Sequence, residues 1–96
     1  MEGSASISSE VLASYAADAA RDVPGVSGVG QGRRGVKVSA DDGAVVVEVH
    51  VGVEWGASIP DVARAVQRRV RDYLTRMADV EAPSVNVVVD EVGAPG

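Results

Sequence analysis

The sequence predicts an α/β two-layer (α+β) sandwich, in which two helices cover one face of a three-stranded mixed sheet with the element order α-β-β-α-β. Two observations carry this prediction. Valine alternates with polar or small residues along one central segment, which is the two-residue period of a strand with one buried face. Two other segments repeat their apolar residues every three or four positions, which is the period of an amphipathic helix.

The first helix is predicted from Ser9 to Asp22, with Ser8 as its N-cap. Glu10 lies in the first turn, where the helix dipole favours an acidic residue. Pro24 ends the pattern, because proline cannot continue a helix and disfavours helical geometry in the residue before it. The apolar stripe expected to face the sheet consists of Val11, Leu12, Tyr15, Ala16, Ala19 and Ala20.

A hairpin is predicted after a glycine-rich segment. Residues 27–35 are expected to form a loop, because glycine recurs too densely there for a regular element. Strand one is predicted over residues 36–39, and Asp42-Gly43 signals a tight turn into strand two. Strand two should bury one face and leave the other wet. The buried face comprises Val45, Val47, Val49, Val51, Val53 and Trp55, and the wet face comprises Val46, Glu48, His50, Gly52 and Glu54.

The second helix is predicted from Ser58 to a point near Asp79. Ser58 and Asp61 fit a capping box, and Pro60 is tolerated in the first helical turn. Strand three is predicted over residues 84–92, parallel to strand two after the helical crossover. We expect the strand order two-one-three, which puts strand two at an edge. The uncovered face of the sheet would then carry Lys37, Glu48, His50, Glu54, Asn86 and Asp90.

Length and composition limit the functional classes. The 96 residues predict one folded unit at residues 7–92, with flexible tails at residues 1–6 and 93–96. The lack of cysteine excludes disulfides and thiolate metal sites, and no apolar run reaches the about 18 residues of a membrane span. The formal net charge of −5 disfavours whole-molecule attraction to nucleic acid or anionic lipid. We therefore expect a cytoplasmic domain that needs no cofactor.

Five segments of the chain, in this order, resemble those of a known bacterial family. They are Ile7-Ser8 leading into Glu10-Val11, Val23-Pro24-Gly25-Val26, Gly35-Val36-Lys37-Val38, Val53-Glu54-Trp55-Gly56 followed by Ser58-Ile59-Pro60-Asp61-Val62-Ala63, and Val85-Asn86-Val87. Together they make residues 7–92 similar to the alkaline shock protein family, which is also called after a glucose-starvation general stress protein. The fourth segment is the most specific of them.

The resemblance implies a bacterial cytosolic domain tied to envelope stress and cell-envelope homeostasis. Some members of the family self-associate, and some are held near the membrane by a membrane-anchored partner protein. The family has no established catalytic residues, so the resemblance assigns none to this chain. The loop before strand one is shorter here than in many members, so partner binding through that loop is not implied.

His50 is the single histidine and the first candidate for a ligand or a general base. Its expected neighbours on the wet face of strand two include Glu48 and Glu54. No second histidine or cysteine is present to complete the commoner soft metal sites. The favoured interpretation of His50 is therefore a solvated strand residue, and Asp41 and Asp42 are interpreted as turn formers. We predict no catalytic residue, no cofactor-binding residue, no metal ligand and no enzyme activity.

The segment from Gly32 to Gly35 matches the Gly-x-x-Gly pattern that clamps nucleic-acid backbone in KH modules. In KH modules that loop joins two helices, whereas here it leads into a predicted strand. A small KH-like RNA-binding module that uses Arg33 and Arg34 remains the alternative function. The acidic balance of the chain argues against it, so we do not expect nucleic acid as a partner.

Helix two contributes a candidate interaction surface. Arg64, Arg68 and Arg71 share one exposed face of the predicted helix. That face is either a solvated surface supported by pairs such as Asp72 with Arg76, or a docking surface for an acidic partner or anionic lipid.

Self-association is predicted through the sheet. Strand two is expected at an edge and has no lysine, proline or bulge to block it, so a second chain could pair along it. The second route is packing of the uncovered face against another copy around Val46 and Val88. Trp55 is expected to cap the core and is the remaining candidate contact residue. We predict a non-enzymatic protein-interaction or scaffold domain linked to cell-envelope homeostasis or stress response. It would form a homo-oligomer and be held near the membrane by a membrane-anchored protein partner.

Overall fold

A computed structural model describes residues 8–31, 35–81 and 83–93 of the chain. Within them the element order is α-β-β-β-α-β, with α1 at Ser9–Arg21, β1 at Val26–Val29, β2 at Val36–Asp41, β3 at Ala44–Val53, α2 at Ile59–Ala78 and β4 at Ser84–Val92. The predicted α+β class and both helices are confirmed, and β1 is a strand that the sequence analysis missed. Of the tails predicted at residues 1–6 and 93–96, only residue 93 lies within the described residues.

Both helices begin at the predicted serine caps. The Ser8 hydroxyl accepts a hydrogen bond from the backbone N–H of Val11 at 3.2 Å, and the Ser58 hydroxyl accepts one from Asp61 at 3.4 Å. Helix α2 ends at Asp79, whose left-handed backbone, with φ at 56°, stops the helical progression. The start of each helix and the end of α2 are therefore set by residues within one turn of that end.

The turn between β2 and β3 is the predicted one. Asp42 and Gly43 both have positive φ, at 55° and 84°, which is the combination found in the two-residue type I′ turn. This turn sets Asp41 opposite Ala44 and fixes the register of the hairpin. Because side chains alternate along a strand, the odd-numbered valines of β3 then share one face.

Strand β3 is the central strand of the sheet. Strand β4 pairs with it in parallel along one side, and β1 and β2 both pair with it in antiparallel orientation along the other side. The predicted order, which placed strand two at an edge, is therefore wrong. The hairpin partner β2 has six residues against ten in β3, so the C-terminal half of β3 is free to pair with β1. For this reason residues 27–29, expected in a loop, lie in a strand.

The pairing along β3 passes from β1 to β2 at His50. The N–H of Gly30 donates to the carbonyl oxygen of His50 at 3.1 Å, and the N–H of His50 donates to the carbonyl oxygen of Gly35 at 3.2 Å. A Cβ atom on Gly35 would lie 2.7 Å from the carbonyl oxygen of Gly30. Glycine is therefore required where the chain re-enters the sheet beside the point at which it left.

The core lies between the two helices and one face of the sheet. The odd-numbered valines from 47 to 53 on β3 are at most 1% exposed. Tyr15 of α1 and Tyr73 of α2 meet edge to face, with ring centroids 5.8 Å apart. Helix α2 buries one stripe at four-residue spacing, which consists of Val62, Val66, Val70 and Leu74. Neither α1 nor α2 combines the length and the apolar composition of a transmembrane helix.

Candidate interaction surfaces

The sheet face turned away from the helices is the first candidate surface, and we call it the open sheet face. No described element covers it, and its side chains are half-buried or exposed. Glu54 was expected on this face but does not belong to it, because β3 ends at Val53. The open sheet face consists of Lys37, Ser39, Val46, Glu48, His50, Gly52, Ser84, Asn86, Val88 and Asp90.

His50 stands on the open sheet face between two carboxylates. Its Nε2 lies 2.6 Å from Oε2 of Glu48, and its Nδ1 lies 2.7 Å from Oδ2 of Asp90. Glu48 precedes His50 by two residues on β3 and so shares its face. Asp90 comes from β4, at the point where the register between β3 and β4 shifts by one residue. The His50 side chain is only 16% exposed in this position.

The geometry around His50 suits the protonated imidazole. A neutral imidazole has a single N–H donor and ionised carboxylates only accept, so only the imidazolium donates to both partners. The hydrogen bond with Glu48, and next that with Asp90, raise the pKa of His50 above its ordinary value of 6.5, and the opposing effect of burial is smaller. Among the described residues no group of three potential ligands is arranged to hold a metal ion.

The sequence does not predict the contact between His50 and Asp90, because the strand order that it predicts is wrong. It predicts both residues on the uncovered face but indicates only Glu48 and Glu54 as partners of the imidazole. With strand one between strands two and three, Asp90 would have been a full strand away from His50. The central position of β3 brings them together, although 40 positions separate them in the chain.

A shallow depression of about 300 Å³ adjoins His50 on the open sheet face. Ser27 and Gly28 of β1 line it together with Gly30, which follows β1, and His50 and Asp90 contribute polar groups. The depression therefore extends the open sheet face as far as β1.

Val46 and Val88 share the open sheet face but do not form one apolar patch. Val46 is opposite Ser84, and Val88 is opposite His50, so they lie four positions apart along β3. At the rise of a strand this separation is about 13 Å. Glu48 lies between them, so each valine is a separate apolar point in a polar surface.

The predicted pairing of another chain along the edge of β3 is excluded, because both sides of β3 are already paired within the sheet. Trp55 also differs from expectation. Instead of capping the core it is 62% exposed. The physical reason is that β3 ends at Val53, and residues 54–57 then form a turn closed by a 3.1 Å hydrogen bond from the N–H of Ala57 to the carbonyl oxygen of Glu54.

The second candidate surface is the arginine stripe, which we define as Arg64, Arg68 and Arg71. All three are exposed, on the side of α2 opposite its buried stripe. Arg64 pairs with Asp61 at 2.7 Å. Neither Arg68 nor Arg71 makes an ion pair with any residue in the described ranges, and the expected pair between Asp72 and Arg76 does not form.

Arg33 and Arg34, the candidate nucleic-acid contacts, lie outside the described residues. The segment that contains them joins β1 to β2, so it connects two strands. This differs from the arrangement in KH modules, where the Gly-x-x-Gly loop joins two helices.

The chain matches one family model and two curated relatives. The model of the alkaline shock protein family, described by a cell envelope-related function, matches residues 1–94. The uncharacterized protein YqhY of Bacillus subtilis is 35% identical over 54 residues, which are 56% of this chain and 40% of YqhY. The uncharacterized protein Spy1535 of Streptococcus pyogenes is 30% identical over 54 residues, 56% of this chain and 42% of Spy1535. The match thus spans less than half the length of either relative.

Solved structures of MamM CTD share the fold. A cadmium form of one MamM CTD variant has a TM-score of 0.64 and 22% identity, and the match covers 88% of this chain and 98% of that one. A nickel form of another variant has a TM-score of 0.62 and 21% identity, with 85% and 96% covered. At this level of identity the likeness shows the fold alone.

Proposed function

The chain belongs to the alkaline shock protein family, which has a cell envelope-related function, and on this premise we propose that it is a non-enzymatic interaction domain that self-associates through its open sheet face. The observation that carries the proposal is the one-sided packing of the sheet. Both helices bury their apolar stripes against the odd-numbered face of β3, and no described element covers the other face. An uncovered sheet face is available for a second copy of the chain.

The composition of the open sheet face supports a reversible interface. Lys37 supplies positive charge, as does His50 when its ring is protonated; Glu48 and Asp90 supply negative charge, and the two valines add apolar points. Such a mixture is typical of interfaces between proteins that also exist apart. A face about 33 Å long and about 15 Å wide offers about 500 Å² per partner, below the about 800 Å² of a standard stable interface. We therefore expect association that depends strongly on concentration.

The environment of His50 supports the non-enzymatic part of the proposal. His50 is the best candidate for acid–base chemistry in the chain, yet both of its ring nitrogens are already hydrogen-bonded to carboxylates. A general base needs a free nitrogen within reach of the substrate proton. His50 instead orders the side chains of the open sheet face.

The remaining parts of the proposal rest on the family resemblance. We propose a cytoplasmic domain that acts in the envelope stress response, and a membrane-anchored protein partner that holds it near the membrane. The proposed localisation, stress role and membrane-anchored partner assign no further residues to the open sheet face.

Light scattering over a concentration series tests the self-association. The average mass of the unmodified chain should rise with concentration. Val88→Lys, at a valine that is 36% exposed on the open sheet face, should move that rise to higher concentration, because it places a charge in the interface. Val11→Lys is the matched control, since Val11 is 41% exposed but lies on α1. A constant monomer mass, or equal effects of the two variants, would contradict the proposal.

A further inference from the structure

We propose that the arginine stripe of α2 docks the domain onto an anionic membrane surface, with the open sheet face turned away from the lipid. This inference concerns the side of the molecule opposite the proposed self-association surface and does not depend on it. The occupant is a bilayer that carries negatively charged lipid headgroups.

The charge of the chain is divided between α2 and the rest of the molecule. Five arginines and two aspartates give α2 a net charge of +3, whereas the whole chain carries −5, so the remaining residues carry −8. The five arginines are Arg64, Arg68, Arg69, Arg71 and Arg76. Such a distribution orients the molecule in the field of an anionic surface, with α2 towards the surface.

Distance and screening weaken the repulsion between the membrane and the acidic groups of the sheet. These groups lie behind α2, and a helix with its side chains is about 10 Å across. The Debye length at about 0.1 M ionic strength is also about 10 Å, so charges at that depth are largely screened from the membrane. On α1, which packs beside α2, Asp18 is paired with Arg21 at 2.9 Å. The guanidinium groups of the exposed stripe reach the headgroups directly and are not screened in this way.

The arginine side chains have the chemistry and freedom that phosphate recognition needs. A guanidinium offers five N–H donors in a planar fork that matches two phosphate oxygens. Arg68 and Arg71 make no ion pair with any residue that the structure describes, so their donors are available to headgroups. The stripe from Arg64 to Arg71 extends about 10 Å along a straight helix, which suits a flat surface.

The turn before α2 and the function of the family favour lipid over other anionic partners. Trp55, in the turn before α2, is 62% exposed, and the amphipathic indole ring prefers the headgroup level of a bilayer. The family has a cell envelope-related function. Since neither helix could span a bilayer, the contact with lipid would be peripheral.

Vesicle flotation of the full chain tests the proposal. One set of vesicles contains equal parts of phosphatidylglycerol and phosphatidylcholine, and the other contains phosphatidylcholine alone. We expect the chain to float with the anionic vesicles only, and less as salt is added. Since each basic residue at an anionic surface strengthens binding about fivefold, Arg68→Gln combined with Arg71→Gln should weaken it about 25-fold.

The control is Arg21→Glu, which makes the same change in net charge on α1, away from both the stripe and the open sheet face. It should bind anionic vesicles within about twofold of the unmodified chain, because Arg21 does not belong to the stripe. Circular dichroism verifies that both variants are folded. Absence of binding to anionic vesicles, or an equal loss in both variants, would overturn the proposal. It would also be overturned if an RNA oligonucleotide or an acidic polypeptide bound more tightly than the vesicles with the same dependence on Arg68 and Arg71.

Discussion

At His50, two carboxylates from different strands share one imidazole, and the protonation state of the ring determines how well it joins them. The imidazolium donates to both Glu48 and Asp90, which ties β3 to β4 on the open sheet face. Loss of the proton removes one donor and leaves a lone pair facing a carboxylate. The pKa of His50 is raised by these bonds, Glu48 first, so the tie is stronger when the ring is charged.

We predict that this tie makes stability depend on pH. Because the folded pKa of His50 is raised above the unfolded value of 6.5, its contribution is complete below 6.5 and is lost as the pH rises through the folded pKa. The free energy of unfolding should therefore fall over that interval relative to His50→Gln. Urea denaturation of both proteins at a series of pH values from about 5 upward measures the difference.

Titration of His50 by NMR provides the control for this prediction. Glu48→Gln should lower the His50 pKa more than Asp90→Asn does, because the hydrogen bond with Glu48 is the larger cause of the shift. Glu54→Gln should leave it unchanged, because Glu54 makes no hydrogen bond with the ring. A pKa of 6.5 or below in the unmodified chain would contradict the prediction.

The connection between α1 and β1 shows how two elements are positioned by one residue. Gly25 has a φ of 94°, and a Cβ atom there would lie 2.7 Å from Cγ2 of Val62 on α2. Its carbonyl oxygen accepts a hydrogen bond from the N–H of Glu54 at 2.8 Å, just beyond the end of β3. Gly25 therefore holds the start of β1 close to both α2 and the end of β3.

Gly25→Ala should lower the free energy of unfolding by about 2 kcal/mol, because it adds a positive-φ penalty and a steric contact with a buried valine. Gly28→Ala is the matched control. A Cβ atom on Gly28 meets nothing within 4 Å, so its effect should stay within about 0.5 kcal/mol. Urea denaturation measures the free energy of unfolding of both variants. Similar decreases in the two would contradict the prediction, because they would mean that the added Cβ atom at residue 25 does not strain the contact with Val62.

The described residues share one core, to which both helices and all four strands contribute. In the sheet, Val49 lies between Val36 of β2 and Val87 of β4, and it is fully buried. Since a domain of this size is stable by only about 5–15 kcal/mol, damage at such a shared position should affect every element together.

Val49→Asp should therefore abolish cooperative folding. A buried carboxylate without a partner costs several kcal/mol, a large part of the total stability. Ser39→Asp introduces the same group at an exposed position of β2 and should change stability by about 0.5 kcal/mol or less. Thermal melting followed by circular dichroism distinguishes them. Comparable melting temperatures would mean that the face of β3 that carries Val49 is not the buried one.

The helix limits, the hairpin turn and the buried face of β3 could be predicted from the sequence, because each depends on residues a few positions apart. Ser8 and Ser58 cap their own helices, Asp42-Gly43 closes its own turn, and the valine alternation separates the two faces of β3.

The strand order, the existence of β1 and the contact of His50 with Asp90 depended on the tertiary structure. Each requires β3 to be paired on both sides, and that pairing joins segments far apart in the chain. A short glycine-rich segment carries little strand signal of its own, so β1 forms because the C-terminal half of β3 offers unpaired hydrogen-bonding groups. The same pairing ends β3 at Val53 and leaves Trp55 in an exposed turn, which no local pattern indicated.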